Sequence, residues 1–353
     1  MPDILPAPAP DSHGARKQDH LRIALQDQRV QRPGRDNGLQ RWQFEAQSLP
    51  ELDLDRVDTS ISLLGKTLRA PLLIGAMTGG TAEAGAVNRI LAEAAERCKV
   101  GFCLGSQRPM LDYDDAHVAS FAVRDIAPTT LLFGNIGGIQ LRDHLSGADL
   151  DRLAQSVGAD AMMVHLNPLQ EAVQPEGDRD WRGVLDAIGE VAATASVPVV
   201  VKEVGMGLSA ASLDQLRALG IAGVETAGVG GTSWSRIESL RHAGRTPRAI
   251  AGEVLAGFGT PTASSIRLAR EALPRRLVIG SGGLRDGLEV AKCIALGATV
   301  CAMAWPFLRA AQDGVDAVVT EIEGVIETLR ITMFLSGAPD LLQLSRTPLV
   351  SGD

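Results

Sequence analysis

The sequence of 353 residues carries a formal net charge of −8, 45% apolar residues and only 3% aromatic ones, with a single tyrosine. An acidic chain this poor in aromatic side chains is not built to coat nucleic acid or an anionic membrane, and it lacks the stacking platforms that single-stranded nucleic acid requires. It is rich instead in Val, Ile, Leu and Ala, the aliphatic material that fills one large parallel barrel.

Residues 1–15 hold four prolines and small residues without periodicity. They read as a disordered leader, with no apolar stretch long enough for a signal peptide. Residues 16–60 are polar and mixed, with a short helix expected near Asp19–Gln28. From residue 61 to 345 short apolar runs alternate with helical segments. The runs Ala70–Ile74, Gly101–Leu104, Thr130–Gly134, Ala161–Leu166, Val197–Glu203, Gly223–Ala227, Leu277–Gly280 and Thr299–Met303 read as buried strands. Helices are expected at Asn88–Cys98, Ser146–Val157, Trp181–Thr194, Ala211–Leu219, Thr262–Leu273 and Gly287–Leu296. Strand–helix alternation calls for a parallel sheet, and eight units call for closure into a (β/α)8 TIM barrel with an N-terminal extension. An open dinucleotide-binding sheet would need a GxGxxG turn after the first strand and an acidic residue about 20 positions on, and neither is present.

The longest interruption, Gly228–Pro261, is glycine-rich at both ends and reads as a functional loop on the strands' C-terminal face. Cys98, Cys103, Cys293 and Cys301 form no CxxC pair and no zinc spacing, so buried thiols in a reducing cytoplasm are expected. No apolar run approaches the ~18–20 residues of a membrane span.

Polar residues gather where the strands end. Strand one leads into Ala76-Met77-Thr78-Gly79-Gly80, strand two into Ser106-Gln107-Arg108, and strand three into Asn135. Strand four ends in His165-Leu166-Asn167-Pro168-Leu169-Gln170-Glu171, and strand five carries Lys202-Glu203. Strand six runs into Gly230-Gly231-Thr232-Ser233-Trp234 and strand seven into Ser281-Gly282-Gly283. Seven loops converging on one mouth are the signature of a barrel active site. The glycine loops after strands six and seven would let backbone N–H groups approach a phosphate.

Several of these residues have two readings. Lys202 is either an ion-pair partner for a nearby carboxylate or a cation beside a delocalised anion such as a reduced flavin. Arg16, Lys17 and His20 form either a solvated patch or an arm that folds over an anionic substrate. Arg108 would then supply the matching planar clamp. A carboxylate at 171 beside a diphosphate is suited to Mg2+. His165 is either a structural hydrogen-bonding residue or part of the site.

Assembled, the motifs resemble the type 2 isopentenyl-diphosphate isomerases, FMN-dependent barrel enzymes of isoprenoid biosynthesis. The stretches that carry the resemblance are Arg16-Lys17-Gln18-Asp19-His20, APLLIGAMTGG, GSQR, GNIG, HLNPLQE, VKEVGMGLS, AGVGGTSW and SGGLRDGLEVAKCIALGA. They span nearly the whole chain. The resemblance implies FMN on Ala76, Met77, Thr78, Ser106, Asn135, Lys202, Thr232, Gly282, Gly283, Leu284, Ala304 and Trp305. It implies substrate on Arg16, Lys17, His20, Ser106, Gln107, Arg108, His165, Asn167 and Gln170. Mg2+ would sit on Glu171, and Glu238 would be a supporting or catalytic acid. Isopentenyl diphosphate would become dimethylallyl diphosphate by a 1,3-allylic proton shift over reduced FMN, with Gln170 relaying protons through Glu171 or Glu238. NADPH would serve only to reduce the flavin, binding transiently because no nicotinamide fingerprint is present. A homo-oligomer, tetramer or octamer, is implied as well.

Two positions depart from the pattern: Glu225 stands where an aspartate is more usual, and Ala227 replaces a small polar residue, leaving only a backbone contact to FMN there. The rival expectation is an FMN-dependent oxidoreductase of the 2-hydroxy-acid oxidase type. Its chemistry needs a His beside an Arg after strand seven, where this chain has Arg285 and no His. An IMP-dehydrogenase-like reaction would need a Cys after strand six, and none is there.

Overall fold

The computed structural model describes residues 13–26, 36–112, 115–242 and 244–352. The expected leader therefore lies outside the described residues up to position 12, as does the side chain of Arg16. Contrary to expectation, residues 13–15 belong to a helix, α1, His13–Gln26.

Eight parallel strands close into a barrel. They are β1 (Leu72–Ile74), β2 (Gly101–Cys103), β3 (Leu132–Gly137), β4 (Ala161–Leu166), β5 (Val199–Glu203), β6 (Gly223–Glu225), β7 (Leu277–Ser281) and β8 (Val300–Met303). Each expected strand is present, with ends displaced by a few residues. β3 differs most: its ladder continues through Asn135, paired with Met163, and Gly137, paired with His165. A polar Asn between glycines looks like loop in sequence, yet its backbone is held by the neighbouring strand.

The period of two along each strand sorts the core. Leu72, Ile74, Phe102, Leu132, Met162, Val164, Val201, Val224, Val278 and Met303 face the surrounding helices. Leu73, Cys103, Phe133, Met163, Val200, Ile279, Val300 and Ala302 fill the barrel interior, joined by Leu63 and Leu68. Those last two belong to an antiparallel hairpin, Ile61–Leu63 with Lys66–Leu68, which plugs one end. Burying such a side chain contributes about 1.5–3 kcal/mol.

The interruption after β6 is not one loop. It holds α3 (Trp234–Arg241) and α4 (Pro247–Val254). α3 escapes a sequence reading because its buried face mixes Ile237 with Ser235, Glu238 and Ser239, so no apolar stripe marks it. Two further short helices matter for the site: α2 (Pro168–Val173) after β4 and α5 (Trp305–Ala310) after β8. The longest helix, α6 (Val315–Leu335), packs against the helix Ala82–Cys98 and the helix Gly287–Ala295.

Candidate active site

The inward-facing set of each strand is apolar at the hairpin end and becomes polar at the other. In β3 the inward sequence is Phe133 then Asn135, and in β4 it is Ala161, Met163, then His165. In β5 it is Val200 then Lys202, and in β7 it is Leu277, Ile279, then Ser281. The ladder brings His165 level with Lys202, and Lys202 level with Glu225. Three ionisable groups thus stand side by side at the floor of a cavity of about 650 Å3. That volume lies in the usual range for a ligand pocket.

On the floor, Lys202 Nζ donates to Glu203 O at 2.7 Å and lies 3.5 Å from Glu225 Oε1. Ser281 Oγ donates to the same Glu225 oxygen at 2.9 Å and accepts from Ala227 N at 3.0 Å. The Ala227 carbonyl accepts from Gly207 N, so both backbone groups of that residue are paired. His165 Nδ1 lies 2.9 Å from Asn135 Oδ1, so Nδ1–H donates and Nε2 is left as an acceptor. Burial, then the charge of Lys202, holds this imidazole neutral, down to about 3. Glu203 points out of the barrel, where its carboxylate accepts from the backbone N–H groups of Val204, Gly205, Met206 and Gly207 and shapes the loop after β5.

One wall is built by glycines. Gly282 and Gly283 have φ of 115° and 75°, and a Cβ on Gly283 would lie 2.3 Å from the Gly230 carbonyl carbon. Only glycine lets the two loops press backbone to backbone there. Asn37, from the N-terminal extension, donates to Gly283 O at 3.0 Å and pins this wall from outside. The loop after β1 contributes Thr78, whose Oγ1 is buried without a partner.

Another wall carries α2. Asn167 Nδ2 donates to Gln170 Oε1 at 3.2 Å and to Glu171 Oε1 at 2.9 Å. Glu171 Oε2 accepts from Asp178 N at 2.9 Å. Gln170 Nε2 donates to Glu238 Oε1 at 2.8 Å. His20, on α1, meets that same oxygen at 2.8 Å through Nε2, while Arg241 Nη1 holds Glu238 Oε2 at 2.6 Å. Burial would raise the Glu238 carboxyl, but the His20 hydrogen bond, Arg241 and Gln170 outweigh it and bring it down to about 2. Burial, offset only in part by Glu238, pushes His20 below its ordinary value. The pair is thus an ionised carboxylate receiving Nε2–H from a neutral ring.

α1 forms the roof. Ile23 packs on Ile237 of α3, the His20 ring meets the Trp234 ring edge-on at 5.2 Å, and Trp305 Nε1 donates to Ala24 O. Lys17 reaches the cavity, as does Arg108, which lies 3.6 Å from Asp178.

The structure brings most of the expected residues to this cavity: Ala76, Met77, Thr78, Ser106, Asn135, Thr232, Leu284, Ala304 and Trp305 line it with those just described. Gln107 is an exception. It is fully buried, bound to Asn135 N, Leu153 O and Met110 Sδ, and it braces β3 rather than facing the cavity. Glu238 does not line the cavity either, but it holds Gln170 and His20, which do. Sequence reasoning passed over Asn37 and Arg241, and it named Glu225 and Ser281 without giving either a role in the site. Glu225 and Ser281 were accessible through the period of two, since each continues an inward-facing set. Asn37 and Arg241 carry no local signal, because their partners lie far away in sequence. Among the described residues no group of three or more His, Cys, Asp or Glu side chains could hold a metal ion.

The sequence profile of the FMN-dependent dehydrogenase family matches residues 148–351. An isopentenyl-diphosphate delta-isomerase of Stutzerimonas stutzeri (strain A1501) is 45% identical over 336 residues, 95% of this chain and 96% of that one. One of Nostoc sp. is 42% identical over 333 residues, 94% of each. Among solved structures, a mandelate oxidase with (S)-2-phenylpropionate superposes with a TM-score of 0.64 at 18% identity, covering 96% of each chain. At that identity the likeness is one of fold.

Proposed function

Because the chain belongs to the isopentenyl-diphosphate delta-isomerase family and carries the FMN-dependent dehydrogenase profile over residues 148–351, we propose a specific division of labour in its mouth. The protein is a flavoprotein isomerase that converts isopentenyl diphosphate into dimethylallyl diphosphate. That reaction adds a proton at one carbon of an alkene and removes one two carbons away, with no net redox change.

The cavity fits FMN. Its volume suits a cofactor, its glycine wall exposes backbone to a phosphate, and the unpartnered Thr78 Oγ1 offers a hydrogen bond. Gly282, Gly283, Leu284, Thr232 and the start of α5 at Ala304 and Trp305 would hold the phosphate end. Ala76, Met77, Thr78, Ser106, Asn135 and Lys202 would hold the ring. In its reduced form FMN would supply an electron-rich ring beside the five-carbon chain. NADPH delivers the reducing equivalents without a dedicated site.

The substrate diphosphate is held by Arg16, Lys17 and Arg108, with Arg108 leaving Asp178 for phosphate oxygens. His165 donates nothing from Nε2 and therefore orients rather than protonates. Glu171 fits Mg2+: it is a buried carboxylate beside the cavity, and it would share the ion with diphosphate oxygens and water. The single observation that carries the mechanism is the hydrogen bond from Gln170 to Glu238. Gln170 contacts Glu238 directly, while Asn167 bridges Gln170 and Glu171. Held ionised, Glu238 Oε1 fixes the Gln170 amide at the site of proton transfer, and His20 Nε2–H supports the carboxylate.

The exposed Val254 and Phe258 support assembly with further copies, a tetramer or octamer, measurable by light scattering. The protein works in the cytoplasm. Supporting this are four buried free thiols and, among the described residues, no helix long and apolar enough to cross a membrane.

The test is reconstitution. Purified protein with FMN, reduced under anaerobic conditions and given Mg2+, is expected to form dimethylallyl diphosphate from isopentenyl diphosphate, and chelation is expected to stop it with flavin still bound. Absence of flavin absorbance after reconstitution would overturn the reading, and turnover of lactate or glycolate would favour the oxidase alternative.

A further inference from the structure

Glu225 is 4% exposed and lines the cavity, and its two oxygens differ in their surroundings. Oε1 is held by Ser281 Oγ at 2.9 Å and by Lys202 Nζ at 3.5 Å. Oε2 is buried and has no hydrogen-bond partner. An ionised oxygen left bare in a protein interior is costly unless something binds it. The ladder orients the argument. Glu225 stands level with Lys202 on one side, and on the other Ser281 leads directly into Gly282 and Gly283. Resting on the reading that FMN binds here with its ring at Lys202 and its phosphate at the glycine wall, the group that must pass Glu225 is the ribityl chain between them. Its hydroxyls are O–H donors, and Oε2 is an acceptor.

We propose that Glu225 is a positioning residue for the cofactor: Oε2 accepts a hydrogen bond from a ribityl hydroxyl while Oε1 fixes the Lys202 ammonium, whose charge it offsets. Two consequences follow. Affinity for FMN depends on the chain hydroxyls through this one carboxylate. The balance between oxidised and reduced flavin depends on its charge, because Lys202 without Glu225 would favour the electron-rich form more strongly.

The experiment titrates apoprotein with FMN and with a flavin phosphate whose ribityl chain is replaced by an unsubstituted alkyl chain, following flavin fluorescence. The wild type is expected to prefer FMN. Glu225→Ala is expected to bind FMN roughly tenfold more weakly, as for loss of a hydrogen bond to a charged acceptor, and to lose less affinity for the alkyl analogue, which shares only the ring contact through Lys202. Equal weakening of both ligands, or an unaltered preference, would overturn the proposal. Should Glu225→Ala not fold, the near-isosteric Glu225→Gln carries the test through the flavin midpoint potential. It is expected to rise, by about 30 mV for a tenfold gain in relative affinity for the two-electron-reduced form. An unchanged or lower potential would overturn it. If the wild type bound no FMN, the cofactor reading itself would fall and the inference with it.

Discussion

Gln170 is held at both ends of its amide, by Asn167 on the oxygen and by Glu238 on the nitrogen, and that fixes which way the group faces. Gln170→Ala is expected to lower kcat by about 10²–10⁴-fold, the usual worth of a positioned proton-transfer group, with the flavin spectrum unchanged. A variant that kept its full rate would remove Gln170 from the mechanism. His165 makes a different prediction. Its folded-state value, about 3, lies below its ordinary 6.5. On acidification the unfolded chain takes up a proton near 6.5 that the folded site refuses until about 3. Stability is therefore full above 6.5 and falls through that window, by up to about 1.4 kcal/mol per pH unit from this group. Urea unfolding midpoints measured across the window check this, and His165→Leu should flatten the dependence; an identical slope in the variant would show that other groups dominate.

At the scale of elements, the roof is decisive. α1 sits on α3 through Ile23 on Ile237, through the His20 ring on Trp234 and through the His20–Glu238 hydrogen bond. None of these belongs to the barrel core. Ile23→Asp is expected to raise KM for isopentenyl diphosphate at least tenfold by unseating Lys17 and His20, while the barrel keeps its thermal midpoint and its flavin. Loss of flavin in that variant would mean that α1 also supports the ring. α3 has a second task, since it supplies Glu238 and Arg241 within one turn. Its polar interior face hid it from the periodicity, and that face is polar because the site needs it so.

At the scale of the whole molecule, the two glycine loops press backbone on backbone at the barrel's mouth. Gly283→Ala would place a methyl group against Gly230 and force a side chain into a left-handed conformation. It is expected to cost more than about 2 kcal/mol and to weaken FMN binding at least tenfold, measured by chemical unfolding and by titration of the apoprotein. The barrel itself was legible in the sequence. Eight apolar runs spaced by helices mark parallel strands, and motifs such as HLNPLQE at their ends mark the mouth, because period and turn chemistry are local properties of a chain. The N-terminal basic motif also announced itself, and an arm folding over the mouth was one of its two readings. What only the tertiary structure decided is which residues meet. Asn37 reaches Gly283 across 246 positions, His20 reaches Glu238 across 218, and Gln107 turns inward to brace β3 instead of facing the cavity. The ladder sets Glu225 beside Lys202 and leaves one of its oxygens bare. Such pairings depend on strand register and on how loops cross the barrel's end, and no local pattern of residues encodes them.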